Sequence, residues 1–591
     1  MAGPYRTEFR GAQPLSGSTN PVAGGGDLCR EPGRRAAGPI VVVVTVAEPA
    51  VVPASPFAPF RHRAFFWLWL GVVVASIGAW AQTVGAQWLF INDPNAATIV
   101  PLVQTASTLP MMLLALPAGV LADAFDRRLL LVVVQGYSIA VSALLAVLTV
   151  AGMMPPALLL TFTFAVGAGL AMLSPTWQSL ITELVPREEF AAATRLDMVS
   201  VNVSRAAGPA IAGWIIATWG VAPVFALTAA AGAVLLVILL TWRRSTAARA
   251  VQRERFVPAL RSGSRYVRHE PVIRAVLLRF ASFVFPAGAV WALLPLIASR
   301  QLGLAASGYG LLFSALGIGA VTAALGLGRV KRQLSSNQVL AVAGSGFAVA
   351  FAGVAVTSSI WVALPLLVVC GFCWTATVAT VISELQLFLP GWVRARAIAI
   401  YLMVFLGTQA VAAPVWGLVT QYTSLRTALL AAAVLLVVSV LLGLVLRVPE
   451  SEGEDRSPLA YWDTPRLQVD PFTAGGPVVV SVEYEVSDLD RDAFLDAMRG
   501  MRRSRLRSGA SRWELYRVGE DRHRYVEQFE VPSWEEHERQ HEGRLTAEDK
   551  AIEDAAFAHV TGSPRTQHLL PAAARGFADD LPGDRHRDRP R

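Results

Sequence analysis

The chain is poor in the residues that soluble proteins use most freely. Charged residues make up 16% of its 591 positions and hydrophobic ones 54%, with a mean hydropathy of +0.48. A soluble chain of this length carries about a quarter charged residues and divides into several domains, so soluble domains are excluded for most of the sequence. Lysine is nearly missing: Lys331 and Lys550 are the only two, and the net charge of +8 is arginine's. The arginines are scattered through short segments, which argues against nucleic-acid binding. Three cysteines, Cys29, Cys370 and Cys373, make no disulfide framework. Cys370 and Cys373 read CGFC inside an apolar stretch, where small packing residues are expected and a redox pair is not.

Long apolar runs are what the chain has in abundance. Twelve are long enough to cross a bilayer as helices: 65–90, 98–121, 129–150, 156–185, 196–219 and 221–242, then 276–298, 309–328, 339–356, 361–389, 397–420 and 428–446. Basic residues fall on one side of this ladder, at Arg61, Arg63, Arg127, Arg128, Arg187, Arg329, Lys331, Arg332, Arg394 and Arg396. The stretch 243–274, with nine arginines, lies on that side too, and the other side carries little beyond Arg300 and Arg426. The positive-inside rule places both termini and the central linker in the cytoplasm, and the arginine bias suggests a GC-rich bacterial genome, so the expectation is a multi-pass protein of the bacterial inner membrane.

The halves repeat. Run four ends QSLITELVP at Pro186 and run ten ends ELQLFLP at Pro390; Gly208, Pro209 and Gly213 are answered by Pro414 and Gly417. Duplicated halves imply a binding site between them near the bilayer midplane. The expected domains are an arm at 1–58, a six-helix bundle at 59–242, a basic linker at 243–275, a second bundle at 276–447 and a linker at 448–476. A small domain at 477–571 and a tail at 572–591 complete the chain. Arm and tail are expected to be disordered.

The stretch GVLADAFDRR, from Gly119 to Arg128, joins two apolar runs. It resembles the loop between the second and third helices of the major facilitator superfamily. That resemblance implies an inner-gate latch made by Gly119, Asp123, Arg127 and Arg128, with an anionic side chain facing a helix N-terminus. GPAIAG, from Gly208 to Gly213, resembles the motif that marks proton-driven antiporters of the superfamily. FWLWLGVVVASIGAWAQTVGAQWLF, SPTWQSLITELVPREEF, FLPGWVRARAIAIY and PVWGLV are similar to the enterobactin-exporter-like branch, the transmembrane secretion effectors. Two positions depart from the pattern: the fourth run has no membrane-embedded arginine, and Asp126 stands where glycine is usual. The resemblance implies two pseudo-symmetric six-helix halves and proton-coupled export of siderophores or other amphipathic small molecules. The partners implied are an amphipathic or anionic substrate, protons and the lipid bilayer; no cofactor, metal or catalytic residue is expected.

Ionisable groups inside membrane runs are site candidates by default. Arg205 lies about 15 Å into the fifth run at helical rise. It therefore needs an acid, a cavity or an anionic substrate. Glu384, one to two turns before Pro390, is the candidate proton carrier, or else a carboxylate paired with Arg279 or a loop arginine. Glu183 and Asp197 lie nearer the surface and suit the inner gate. Gln82, Gln87, Gln178 and Trp177 offer hydrogen bonds and an aromatic face to a ligand. Trp88 reads as an interfacial anchor.

After Arg447 the sequence turns polar. VVVSVEYEV predicts a strand, 491–507 a basic helix, SRWELYRVGE with RHRYVEQFEV a hairpin, 534–559 one long helix, and RTQHLL a last strand. The order βαββαβ is that of a ferredoxin-like unit. WEEHERQHEGRLTAEDKAIE resembles the dimeric α/β-barrel domains related to antibiotic-biosynthesis monooxygenases. Self-association is expected, since an open sheet leaves an apolar face to cover. His537 and His541, at i and i+4, are read as a solvated face because no third ligand is evident. Two alternatives to the non-enzymatic exporter stay open: a membrane-anchored enzyme whose small domain acts on the transported compound, and an importer of the same fold.

Overall fold

The computed structural model describes residues 55, 57–242, 256–449, 459–462, 465, 467–469 and 476–571. Nearly all of the expected arm, most of the second linker, the tail and the first part of the basic linker lie outside those residues. So do the side chains at 115–116, 119–120, 122–124 and 256–262.

The first set of helices is α1 (Arg63–Leu89), α2 (Ala96–Ala124), α3 (Arg127–Val150), α4 (Pro156–Leu184), α5 (Phe190–Trp219) and α6 (Ala222–Thr241). A shorter helix, α7 (Phe256–His269), precedes the second set: α8 (Pro271–Leu296), α9 (Ala306–Val330), α10 (Ser336–Val356), α11 (Ile360–Phe388), α12 (Gly391–Tyr422) and α13 (Leu425–Val445). Polar caps set several starts. The Asp126 carboxylate accepts the Leu129 N–H at 2.9 Å and opens α3, while Ser335 and Gln338 form a reciprocal capping box at α10. Helix α5 stops at Gly220, whose φ of 86° few other residues tolerate.

Among the described residues, eleven helices are long and apolar enough to cross a membrane. The expected twelfth, α5, has 30 residues but is not one of them. Arg195, Asp197, Asn202 and Arg205 dilute its apolar character. The basic linker also differs from expectation, because its last part folds as α7 and packs against α8 and α12.

The two sets pack alike. Helix α1 touches α5 and α6 as α8 touches α12 and α13, and α2 lies on α4 as α9 lies on α11. The crossings between sets obey the same symmetry: α5 packs on α9, and its counterpart α12 packs on α2. Small residues permit both approaches. A Cβ on Gly213 would stand 2.6 Å from the Ala306 carbonyl oxygen, and one on Gly417 would stand 2.8 Å from that of Ala97. Both contacts lie near the helix ends away from α7, here called the far face; the basic loops occupy the opposite, basic face.

The small domain contains β1 (Val478–Glu485), α14 (Arg491–Ser508), β2 (Arg512–Arg517), β3 (Arg524–Val531), α15 (Trp534–Arg539), α16 (Ala547–Phe557) and β4 (Arg565–Leu569). Its antiparallel sheet runs β2-β3-β1-β4. Val478, Val480, Val482, Tyr484 and Phe529 face a core shared with Phe494, Met498 and Met501 of α14.

Three expectations change in this domain. The long helix over 534–559 is broken: a π-type turn over Gln540–Arg544 follows α15, and α16 starts afresh from a Thr546–Asp549 capping box. His537 is fully buried, so it belongs to no solvated face. Burial holds its pKa down to about 3, with Gln540 opposing and the charges of His541, His568 and Arg505 reinforcing, so the imidazole is neutral near pH 7. The open side of the sheet is mixed where an apolar face was expected, since the strand register places Glu483, Glu514, Gln528, Gln567 and Arg565 on it beside Val479, Tyr516, Val526 and Leu569.

The domain docks on the basic face. Arg507 Nη1 donates to Glu270 Oε2 at 2.7 Å, at the junction of α7 and α8. The Arg544 guanidinium lies 4.9 Å over the Trp392 ring at the start of α12, and Tyr266 of α7 meets that ring edge-on.

Candidate functional site between the helical sets

The two sets meet in two layers. The outer layer seals the far face: the Tyr309 hydroxyl of α9 donates to Gln87 Oε1 of α1, and Trp88 stacks on Tyr309 at 5.7 Å and 12°. Trp88 is thus a cross-set contact where an interfacial anchor was expected. Between α2 and α12, about nine residues in from the start of α2, the Thr105 hydroxyl donates to the Ala410 carbonyl at 2.9 Å.

The inner layer lies about two helical turns deeper along α1, near the middle of the helices. Here the Arg205 guanidinium sits 5.1 Å over Trp80, its Nε buried without a hydrogen-bond partner. Gly208 places α5 for this contact, because a Cβ there would stand 2.7 Å from the Cβ of Trp80 and 2.8 Å from the Ile77 carbonyl oxygen. Pro209 lends its carbonyl to the close approach of Gly310 on α9. The GPAIAG stretch therefore fastens α5 to α1 with one glycine and to α9 with the other.

From Trp80 the aromatic contacts run into the second set. Trp80 meets Phe313 at 5.9 Å, Phe313 meets Trp291 at 5.4 Å, and Trp291 meets Trp374 at 5.8 Å. Trp374 meets Phe405, which stacks with Tyr401. Two more buried polar atoms along this chain have no hydrogen-bond partner, Trp291 Nε1 and the Tyr401 hydroxyl. Buried polar groups are normally satisfied, so a cation and two donors left open along one aromatic wall suit a ligand with acceptor oxygens and apolar surface. Sequence reasoning found Arg205, a charge within an apolar run. It missed the wall, whose members come from α1, α8, α9, α11 and α12.

The other predicted residues scatter. Gln87 belongs to the far-face seal, where its Nε2 has no partner. Gln82 Oε1 accepts from the Ser142 hydroxyl at 3.0 Å inside the first set. Trp177 is buried, donating to Asp197 Oδ1 at 2.8 Å, and Gln178 is exposed.

Glu384 lies near the basic-face end of α11. It accepts from the Ser336 hydroxyl at 2.5 Å and has Lys331 Nζ at 3.7 Å. Its cationic partner is thus neither Arg279, which donates to Asn337 Oδ1, nor a loop arginine. In the latch motif, Arg127 donates to Glu183 Oε1 at 2.6 Å and to the Ser179 carbonyl, tying α3 to α4. Arg128 donates to the Leu239 and Leu240 carbonyls at 2.9 and 2.8 Å, satisfying the C-terminal end of α6. Gly119 and Asp123 fall in the last turns of α2, with side chains outside the described residues.

Comparison with known proteins gives three kinds of likeness. The family described as "Transmembrane secretion effector" matches residues 54–576, helices and small domain together. A staphyloferrin A transporter of Staphylococcus aureus is 28% identical over 144 residues, which is 24% of this chain and 36% of that protein, so the match spans about a third of the relative's length. Among solved structures, an inward-facing bacterial homologue of the human lysosomal transporter Spinster has a TM-score of 0.52 at 14% identity, covering 66% of this chain and 97% of that one. A nucleoside transporter gives 0.52 at 14% identity over 64% and 100% of the two chains. A D-xylose–proton symporter gives 0.51 at 14% identity over 68% and 100%. At these identities the likeness is one of fold, that of the major facilitator transporters.

Proposed function

The chain belongs to the transmembrane secretion effector family, and from that premise we propose that it is a proton-coupled exporter of anionic amphipathic small molecules of the siderophore type. The carrying observation is Arg205, with Nε unsatisfied over Trp80 beside the seam of two pseudo-symmetric sets whose described cross-contacts run from the far face to the middle of the helices. A guanidinium in mid-membrane costs several kcal/mol unless something there offsets it, and a substrate carboxylate or catecholate is that partner. The staphyloferrin A transporter similarity supports the substrate class.

In this reading α5 is the twelfth span, because its polar residues line the transport path. The basic face and both termini are cytoplasmic in a bacterial inner membrane, and substrate enters from the basic face. The small domain is a cytoplasmic ferredoxin-like unit, which its βαββαβ order and strand order support. Glu384 is the proton-exchanging carboxylate, buried at 7% exposure and held by Ser336 and Lys331. Asp123 is the anionic part of the latch.

The test is transport by inside-out vesicles over a panel of carboxylate and catecholate siderophores, with and without an imposed pH gradient. Wild type accumulates a panel member only with the gradient, and Glu384→Gln transports it without gradient dependence. Asp123→Asn inserts normally and transports poorly. Gradient-independent transport by wild type, or uptake by whole cells in place of depletion, contradicts the assignment.

A further inference from the structure

The fold of the small domain supplies what the sequence withholds, a third histidine beside His537 and His541. His568 lies on β4 opposite Val480, on the inner face of the sheet, and its ring centroid is 5.0 Å from that of His537. The ligand nitrogens of His537, His541 and His568 all lie within 4.8 Å of one another. We propose that these three histidines bind one first-row divalent transition-metal ion, of which Zn²⁺ is the representative, with a fourth position left to water or an exogenous ligand.

Three observations carry the site. First, His541 Nε2 and His537 Nε2 are 3.3 Å apart. Two nitrogens on one tetrahedral ion at about 2.05 Å stand about 3.3 Å apart, so these two need almost no movement to share one. Second, the orientation of His537 is fixed from outside. Its Nδ1 pairs with Gln540 Oε1 at 3.0 Å, and Gln540 Nε2 in turn donates to the Ser508 hydroxyl at 3.2 Å. With the proton on Nδ1, the Nε2 lone pair points at its neighbours, the arrangement in which metal-bound histidines are held by a second hydrogen bond. Third, the surroundings are apolar and aromatic: Trp534 meets His537 and His568 edge-on, and Trp462 meets His541 at 5.0 Å. The nearby Arg505 does not oppose a cation with a net charge, because Glu527 and Glu553 neutralise it.

Imidazole ligands select ions of the zinc, copper and nickel type over magnesium or calcium. The π-type turn Gln540–Arg544 has a use in this account. It follows α15 directly and carries both Gln540 and His541, each of which contacts His537.

The experiment uses the full-length protein in detergent, with any affinity tag removed, titrated with Zn²⁺ by calorimetry and with Co²⁺ by visible absorption. The expected result is one Zn²⁺ per chain and the intense ligand-field band of four-coordinate Co²⁺. His568→Ala, at a half-buried edge-strand position, loses at least about 100-fold in affinity, and Gln540→Leu loses about 10- to 100-fold. His523→Ala, at a histidine elsewhere in the domain, binds as wild type does. Should His568→Ala fail to fold, Gln540→Leu carries the decision. Absence of stoichiometric Zn²⁺ in wild type overturns the proposal, as does unchanged affinity in the folded variant that decides.

Discussion

Arg205 in the helical bundle and Arg505 in the small domain each lie over a tryptophan, at 5.1 and 4.7 Å. Their polar surroundings are opposite. Arg505 donates to Glu527 at 3.2 Å and to Glu553 at 2.9 Å, and those carboxylates are themselves held by Tyr484, Trp513 and Trp462. Burial alone would lower the Arg505 pKa, and the two carboxylates more than reverse it. Arg205 has an open Nε instead. A fully paired buried charge is a structural fixture, whereas the open one is, in the function proposed above, held for a ligand.

The sharpest way to break this comparison is to remove the fixture. Arg505→Met strands Glu527 and Glu553 without their cation and is expected to cost about 3–5 kcal/mol of small-domain stability. Denaturant titration of full-length protein, followed by far-UV circular dichroism and tryptophan fluorescence, measures it; a loss under about 1 kcal/mol would erase the contrast. Next in size is the docking contact. Glu270→Gln removes the charge that Arg507 meets across the α7–α8 junction, a hydrogen bond worth about 1.5–3 kcal/mol. Hydrogen exchange in α7 should rise while the small domain keeps its own protection. Unchanged exchange would mean that Asp549 and Glu548 suffice to hold Arg507.

A smaller effect is expected at the far face. Gly213→Val places side-chain atoms against the Ala306 carbonyl and costs the closed arrangement about 1–3 kcal/mol. Thiol labelling of a cysteine introduced at Ser307 should then speed up from the far side. Equal labelling rates would show that α5 and α9 do not need the close approach.

Much of the helical part was legible in the sequence, because a bilayer-length apolar run states its own structure. The exceptions have physical causes. Helix α5 reads as a span from its run at 196–219, but the polar residues within its 30-residue length separate it from the other eleven. Helix α7 was hidden by arginines that gave its segment the look of a solvated linker. Arg205 stood out as one cation in an apolar run, while the wall from Trp80 to Phe405 did not, since its members are spread over 325 positions and only packing joins them. His568 was invisible beside His537 and His541 for the same reason: the pairing of β4 with β1 brings it to them. Glu384 was placed on the right helix, but its partners Lys331 and Ser336 flank a turn whose geometry no spacing rule supplies.

The most direct test of the central claim is Arg205→Met, measured for folding and transport on the same preparation. Removing a buried cation whose Nε has no partner should leave the unfolding free energy of the bundle equal to that of wild type or higher. Transport of the preferred siderophore in inside-out vesicles should fall about 10- to 100-fold, the equivalent of one charge-assisted hydrogen bond to the substrate. Full transport with a destabilised bundle would instead make Arg205 a fixture like Arg505, and would contradict the account.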